Sequence, residues 1–259
     1  MSADDLSADL SSSSAAQSST DPATAPRSGS LADSSSGPAL GPDPGERSSQ
    51  APDKSDKSEK PDASGRRQVF TALTVELGLG LIAIVLGWIF AVPAAADLQW
   101  QPSAFLLGGA ATLPMLFLFV VFLRIETPAV AELRGLLDQF VVTVFGSAGP
   151  LEIAAVAAAA GIGEELLFRG FLQAAFESGL GAWGALAAAS VVFGLAHAVS
   201  LAYFTMATVF GAWLGWIWML SGNLFVPITA HALYDLVALW FFLFVRNGAD
   251  TGVHDRIAN

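Results

Sequence analysis

From residue 69 onward the chain is a succession of apolar runs separated by short polar connections. A helix needs about 20 mostly apolar residues to cross the hydrocarbon core of a bilayer. Runs of that order occupy Val69–Val92, Ser103–Leu123, Leu151–Leu172, Ala182–Val199, Leu201–Leu220 and Leu224–Val245. In hydrocarbon every backbone polar group must be satisfied within the segment, and uninterrupted apolar runs suit helices rather than the alternating strands of a barrel. Leu133–Ser147 is shorter and amphipathic, with Arg134 and Asp138 among apolar residues. It predicts an interfacial helix, the alternative being a seventh span broken at Gly149–Pro150. The expected fold is an all-α, polytopic transmembrane helical bundle of about six to seven spans.

The first 66 residues differ in kind. They are rich in Ser, Pro, Asp, Ala and Gly and nearly devoid of large apolar side chains. Such a segment cannot bury enough apolar surface to offset its backbone entropy, so residues 1–66 are expected to form a disordered cytoplasmic tail, with 67–259 the membrane domain. The N-terminus lacks the basic start and apolar run of a secretory signal, which leaves targeting to the first span.

Composition and charge narrow the partners. The chain is 53% hydrophobic and 14% charged, with a formal net charge of −11. The tail to Arg67 holds eleven Asp/Glu and seven Lys/Arg, so its charge is mixed rather than one acidic block. No basic stripe accompanies the aromatics, which argues against nucleic acid as a partner. With no Cys, disulfides, thiol catalysis and thiolate metal sites are excluded. Tryptophans 88, 100, 183, 213, 216, 218 and 240 mostly fall near predicted span ends, as an interfacial belt or packing residues do.

Basic residues set the expected orientation. Arg66 and Arg67 precede the first span, Arg124 follows the second, Arg134 lies in the next connection and Arg246 follows the last, whereas Ala94–Pro102 contains none. Six spans place all of them on one side, which the positive-inside rule makes cytoplasmic. A multi-pass protein of the cell membrane with both termini in the cytoplasm is the result.

Against this apolar background, ionisable residues stand out. One at the centre of a membrane helix costs roughly 2.5–3.5 kcal/mol on insertion scales, and such residues usually mark function. Glu164, Glu165 and Arg169 interrupt one run, His197 another, and His231 with Asp235 a third. Glu165 and Arg169 are four apart in the favourable order for an ion pair on one helix face, while Glu164 is rotated by about 100° from its neighbour. Glu165 and Arg169 are thus assigned to scaffold and Glu164 to chemistry. His231 and Asp235 form a second prepaired unit, and His197 follows Phe193 by four on a helix of small residues that permit close packing. Singly, each has a plain reading: a structural ion pair, a histidine bonded to a neighbouring backbone, a proton relay or ion site. Together they read more economically as one polar cavity. Glu76, in the first span, is assigned a helix-facing hydrogen bond or a cavity-lining position.

The three motifs, Glu164-Glu165-Leu166-Leu167-Phe168-Arg169, Phe193 to His197, and His231 to Asp235, resemble those of the CPBP family, which comprises type II CAAX prenyl endopeptidases, bacterial Abi proteins and bacteriocin-processing or self-immunity proteins. The resemblance covers roughly residues 151–239. It implies an intramembrane endopeptidase in which Glu164 and His197 activate water, and His231 and Asp235 flank the scissile carbonyl. In the prenyl endopeptidases the last position is usually Asn, a hydrogen-bond donor, whereas an ionised Asp only accepts. Three roles stay open for Asp235: it is protonated, it orients His231, or it helps hold a metal.

Chemistry shapes the expected mechanism. A carboxylate in a low-dielectric cavity suits Glu164 to take a proton from water. His197 either orients that water or shares a divalent ion with Glu164, His231 and Asp235. Two imidazoles with one or two carboxylates suit Zn²⁺, although no H-E-x-x-H motif occurs. The rhomboid G-x-S-G setting is absent around Ser190, and Tyr234-Asp235 lacks the G-x-G-D partner of a presenilin-type enzyme. The Ala-rich, Cys-free composition points to a bacterial chain, with a peptide, bacteriocin precursor or membrane-protein segment as substrate. The competing class is a non-catalytic membrane protein, either a proton- or cation-coupled transporter or an immunity or scaffold protein, although no internal repeat of the transporter kind is visible.

Overall fold

A computed structural model describes residues 63–246, and every described element is a helix or a connection. The predicted tail lies outside the described residues except for 63–66, which already belong to the first helix. That helix, α1, spans Ala63–Ile89. It is followed by α2, Pro102–Arg124, and α3, Pro128–Phe145. Next come α4, Pro150–Glu165, a π-helical segment, Leu166–Gln173, and α5, Ala174–Ala196. The chain closes with α6, Leu201–Ser221, and α7, Phe225–Trp240, which runs into a second π-helical segment, Phe241–Arg246. Proline opens α2, α3 and α4, where its fixed φ fits and its missing N–H has no intrahelical partner to lose. Pro128 therefore starts α3 five residues before the predicted Leu133.

Among the described residues five helical runs are long and apolar enough to cross a membrane. The longest, Pro150–Ala196, has 47 residues, which as one straight helix would measure about 70 Å at 1.5 Å per residue, over twice a hydrocarbon core. It is not straight. Gly181 has φ 66° and ψ 170°, a conformation essentially confined to glycine. The rings of Phe168 and Phe193, which would lie about 37 Å apart on a straight helix, have centroids 4.9 Å apart. The chain doubles back at Gly181, and the two arms are the third and fourth predicted spans. The second arm ends at Ala196 rather than Val199, so His197 caps a helix instead of lying within it.

The amphipathic α3 is not among the membrane-crossing runs. Both of its central charges are used structurally. Arg134 donates to the carbonyls of Leu123 (2.7 Å) and Ile125 (3.0 Å), satisfying acceptors left open at the end of α2. Asp138 pairs with Arg246 at 2.6 Å, tying α3 to the last described residue of the α7 extension.

In the bundle, α4 packs against α1 and α7, α2 against α7, and α5 against α6. Small residues let the backbones approach, as is usual within membranes. At Gly163 the approach is extreme: a Cβ there would collide with the backbone carbonyl of Glu76 on α1. The α6–α7 connection is fixed by Asn223, whose side chain accepts from Gln99 N (3.1 Å) and Phe225 N (3.0 Å) and donates to Gln99 O (2.9 Å). From there α7, which carries His231 and Asp235, packs along α4.

Candidate active site

Four of the six functional side chains reach the bundle centre from a helix end or a widened turn, and two from the middle of a helix. Glu164 and Glu165 close α4, Arg169 sits in the π-helical segment that follows, His197 caps α5, and His231 and Asp235 lie in the middle of α7. The i→i+5 turn of a π-helix is uncommon and recurs at functional sites. The structure brings the six predicted residues together.

The scaffold pair is fully buried. Arg169 Nη1 donates to Glu165 Oε1 at 2.7 Å, and Nη2 donates to the Gly211 carbonyl at 3.0 Å. The guanidinium also lies over the ring of Phe193, with Cζ 4.6 Å from its centroid. Phe193 stacks in turn on His197 at 4.5 Å between centroids, so one ring links both groups. A buried carboxylate is tolerable only when paired and hydrogen-bonded. Glu165 meets that condition through Arg169 and through His231, whose Nδ1 is 2.8 Å from the same Oε1.

These contacts set both histidine tautomers. A carboxylate oxygen bonded to Arg169 only accepts, so His231 donates from Nδ1. His197 Nδ1 lies 2.8 Å from the Phe193 carbonyl, which also only accepts. That carbonyl is free because the His197 backbone N–H turns to Gly194 O at the helix end. With both Nδ1 atoms committed to scaffold acceptors, both Nε2 atoms face the reacting side. They converge on Glu164 Oε2, at 3.7 Å from His197 and 4.0 Å from His231. Asp235 Oδ2 stands 3.4 Å from His231 Nε2. Glu164 Oε2 is buried and accepts no hydrogen bond from the protein. Buried orphan acceptors are rare and each calls for an explanation.

A cavity of about 60 Å³ lies alongside, lined by His197, His231 and Asp235 together with apolar side chains that include Met115, Phe210 and Leu214. It admits a few water molecules, since roughly 10–15 Å³ on this measure holds one. Two lining residues were not singled out from the sequence, Tyr203 and Tyr234, which are the chain's two tyrosines. Their rarity, and the adjacency of Tyr234 to Asp235, were the available signals. Glu76 does not line this cavity. Its turn of α1 abuts Gly163, next to Glu164, and its Oε2 is buried without a hydrogen-bond partner.

Any divalent ion would have to use Glu164, His197, His231 and Asp235. Their donor types suit zinc, but among the described residues no three His, Asp or Glu side chains are arranged to hold one.

Residues 146–237 match the family described as Type II CAAX prenyl endopeptidase Rce1-like. The match takes in α4 through most of α7, with every site residue named above except Glu76, and leaves out α1 to α3. An uncharacterized protein of Bacillus subtilis (strain 168), YpbD, is 40% identical over 77 residues, or 29% of this chain and 36% of that protein. The chain thus spans little more than a third of that relative's length. No solved structure matches. The match bears out the resemblance to the CPBP family over residues 146–237, within a chain whose apolar helices mark a multi-pass membrane protein.

Proposed function

We propose that this protein is an intramembrane endopeptidase in which Glu164 and His197 activate water for attack on a peptide bond. The observation that carries the reading is the convergence of two imidazole Nε2 atoms on the orphan Oε2 of Glu164. With neutral imidazoles and an ionised Glu164, all three are acceptors. A group that bridges Glu164 and an imidazole at 3.7–4.0 Å must bring two protons, and water is the simplest one. Its lone pairs then point away from the acceptors, toward a carbonyl carbon. As the oxygen–carbon bond forms, a proton passes to Glu164, which later delivers it to the departing amine. General acid–base catalysis of this kind contributes about 10²–10⁴-fold. His231 is held beside the carbonyl by Glu165, and Asp235 Oδ2 lies 3.4 Å from its Nε2 at the cavity wall.

Substrate in this reading is a peptide or a membrane-protein segment that reaches the cavity from the bilayer, where the Met, Phe and Leu walls accept apolar side chains. The protein sits in the cell membrane with both ends of its described domain cytoplasmic. Three contacts support that orientation by placing the basic ends together. Arg134 bonds the end of α2, Arg246 pairs with Asp138 of α3, and Gly65, beside Arg66, meets Ser147. Mapping new N-termini in membranes of cells producing wild type or Glu164→Gln tests the reading. Precursors should accumulate uncleaved in the variant. Identical cleavage patterns, or a loss of proton-coupled uptake instead, would favour the non-catalytic class.

A further inference from the structure

Addition of water to a carbonyl leaves negative charge on its oxygen, and that charge needs a donor preorganised at the site. The polar side chains around the cavity are His197, Tyr203, His231, Tyr234 and Asp235. Most of these cannot donate. Asp235, when ionised, only accepts, and each histidine has its Nδ1–H committed, to the Phe193 carbonyl and to Glu165, leaving an accepting Nε2. The remaining side-chain donors are the two phenols, and neither hydroxyl has a hydrogen-bond partner among the described residues.

The two tyrosines are not equivalent. Tyr234 is 9% exposed, and its ring is held edge-on between Phe210 at 4.8 Å and Phe119 at 6.1 Å. Tyr203 is half-buried and stands edge-on to His197, with ring centroids 6.1 Å apart. It occupies the first turn of α6, where its backbone N–H is held by Ser200 Oγ at 3.1 Å. An N-cap bond of this kind fixes the start of the helix, and with it the root of the phenol. Its side chain lines the cavity next to His197, which puts the phenol on the histidine side of the site.

We propose that Tyr203 is a further catalytic residue, donating its hydroxyl hydrogen bond to the carbonyl oxygen of the scissile bond. The inference rests on the peptidase reading above. In the addition step the water oxygen bonds to carbon, the carbonyl π pair moves to oxygen, and the water proton goes to Glu164. Tyr203 keeps its proton and only donates a hydrogen bond. On collapse the carbonyl re-forms, the carbon–nitrogen bond breaks, and the amine takes the proton from Glu164.

The test uses the full chain in proteoliposomes with a pool of internally quenched peptides, from which one cleaved peptide is taken for kinetics. Y203F should lower kcat by about 10²–10³-fold with KM nearly unchanged, as loss of a single oxyanion donor does. Adding D235N, whose amide N–H is a donor, should restore at least about tenfold of that loss if the two positions face the same oxygen. An unchanged kcat in Y203F alongside an inactive E164Q would overturn the role of Tyr203 and leave the peptidase reading standing. The same holds if Y234F carries the loss instead, or if D235N restores nothing. Wild-type cleavage by E164Q would remove the peptidase reading and this inference together.

Discussion

His231 and Arg169 share one oxygen: Nδ1 of the imidazole and Nη1 of the guanidinium meet Glu165 Oε1 at 2.8 Å and 2.7 Å. The ion pair is thus also the device that selects the histidine tautomer, because an oxygen already bound by arginine has nothing to donate.

Glu165→Gln leaves one carbonyl oxygen that both donors can share but removes its charge, so Arg169 and His231 are held less firmly. Cleavage should fall by about 10–100-fold, the usual effect of losing a supporting partner of this kind, while the protein still folds and extracts normally. Full activity in this variant, measured on protein with a wild-type melting profile, would contradict the need for a charged partner at His231.

Arg169→Met should act on the fold itself. It leaves Glu165 buried with no counter-charge and frees the Gly211 carbonyl, and breaking a buried pair typically costs about 3–5 kcal/mol. Thermal unfolding of detergent-solubilised protein checks this. A melting temperature equal to that of wild type would mean that the pair does not hold the bundle.

Two glycines make opposite demands. At Gly181 nothing lies within 4 Å of an added Cβ, so Gly181→Ala meets only backbone strain, about 1–3 kcal/mol for this φ/ψ region. At Gly163 the new methyl group strikes the backbone of Glu76, and α1 or α4 must move beside Glu164. Gly163→Ala should therefore lose cleavage where Gly181→Ala loses stability alone. Assaying both properties in both variants tells the two apart, and a fully active Gly163→Ala would show that α1 does not fix Glu164.

Since no three His, Asp or Glu side chains among the described residues are arranged to hold a metal ion, cleavage should survive prolonged chelation, with no stoichiometric metal in the purified protein. Loss of activity on chelation that zinc restores would require the four polar groups to close around an ion, a different geometry from the one described.

Much of the site was legible in one dimension because its pairs are local. Glu165–Arg169 and His231–Asp235 are i,i+4 neighbours, and charge in an apolar helix announces itself. The spans were legible for the same reason, since bilayer thickness sets their length. What sequence pattern could not give is which faces meet. Tyr203 reads as one more aromatic among many until the α5–α6 reversal carries it beside His197. The role of His231 as partner of Glu165, 66 residues away, has no sequence signature either. The widened turn at Leu166–Gln173 goes with tertiary packing around Arg169, and the early end of α5 at Ala196 with a local bond from His197 to Phe193 that four-residue spacing alone does not announce.

The central claim is that Glu164 carries the proton of the attacking water. Its most direct measurement is the single-turnover cleavage rate of one identified peptide by wild type and Glu164→Gln, both verified as folded in the same proteoliposomes. A fall of about 10²–10⁴-fold with substrate binding retained is the predicted result. Equal rates would contradict it.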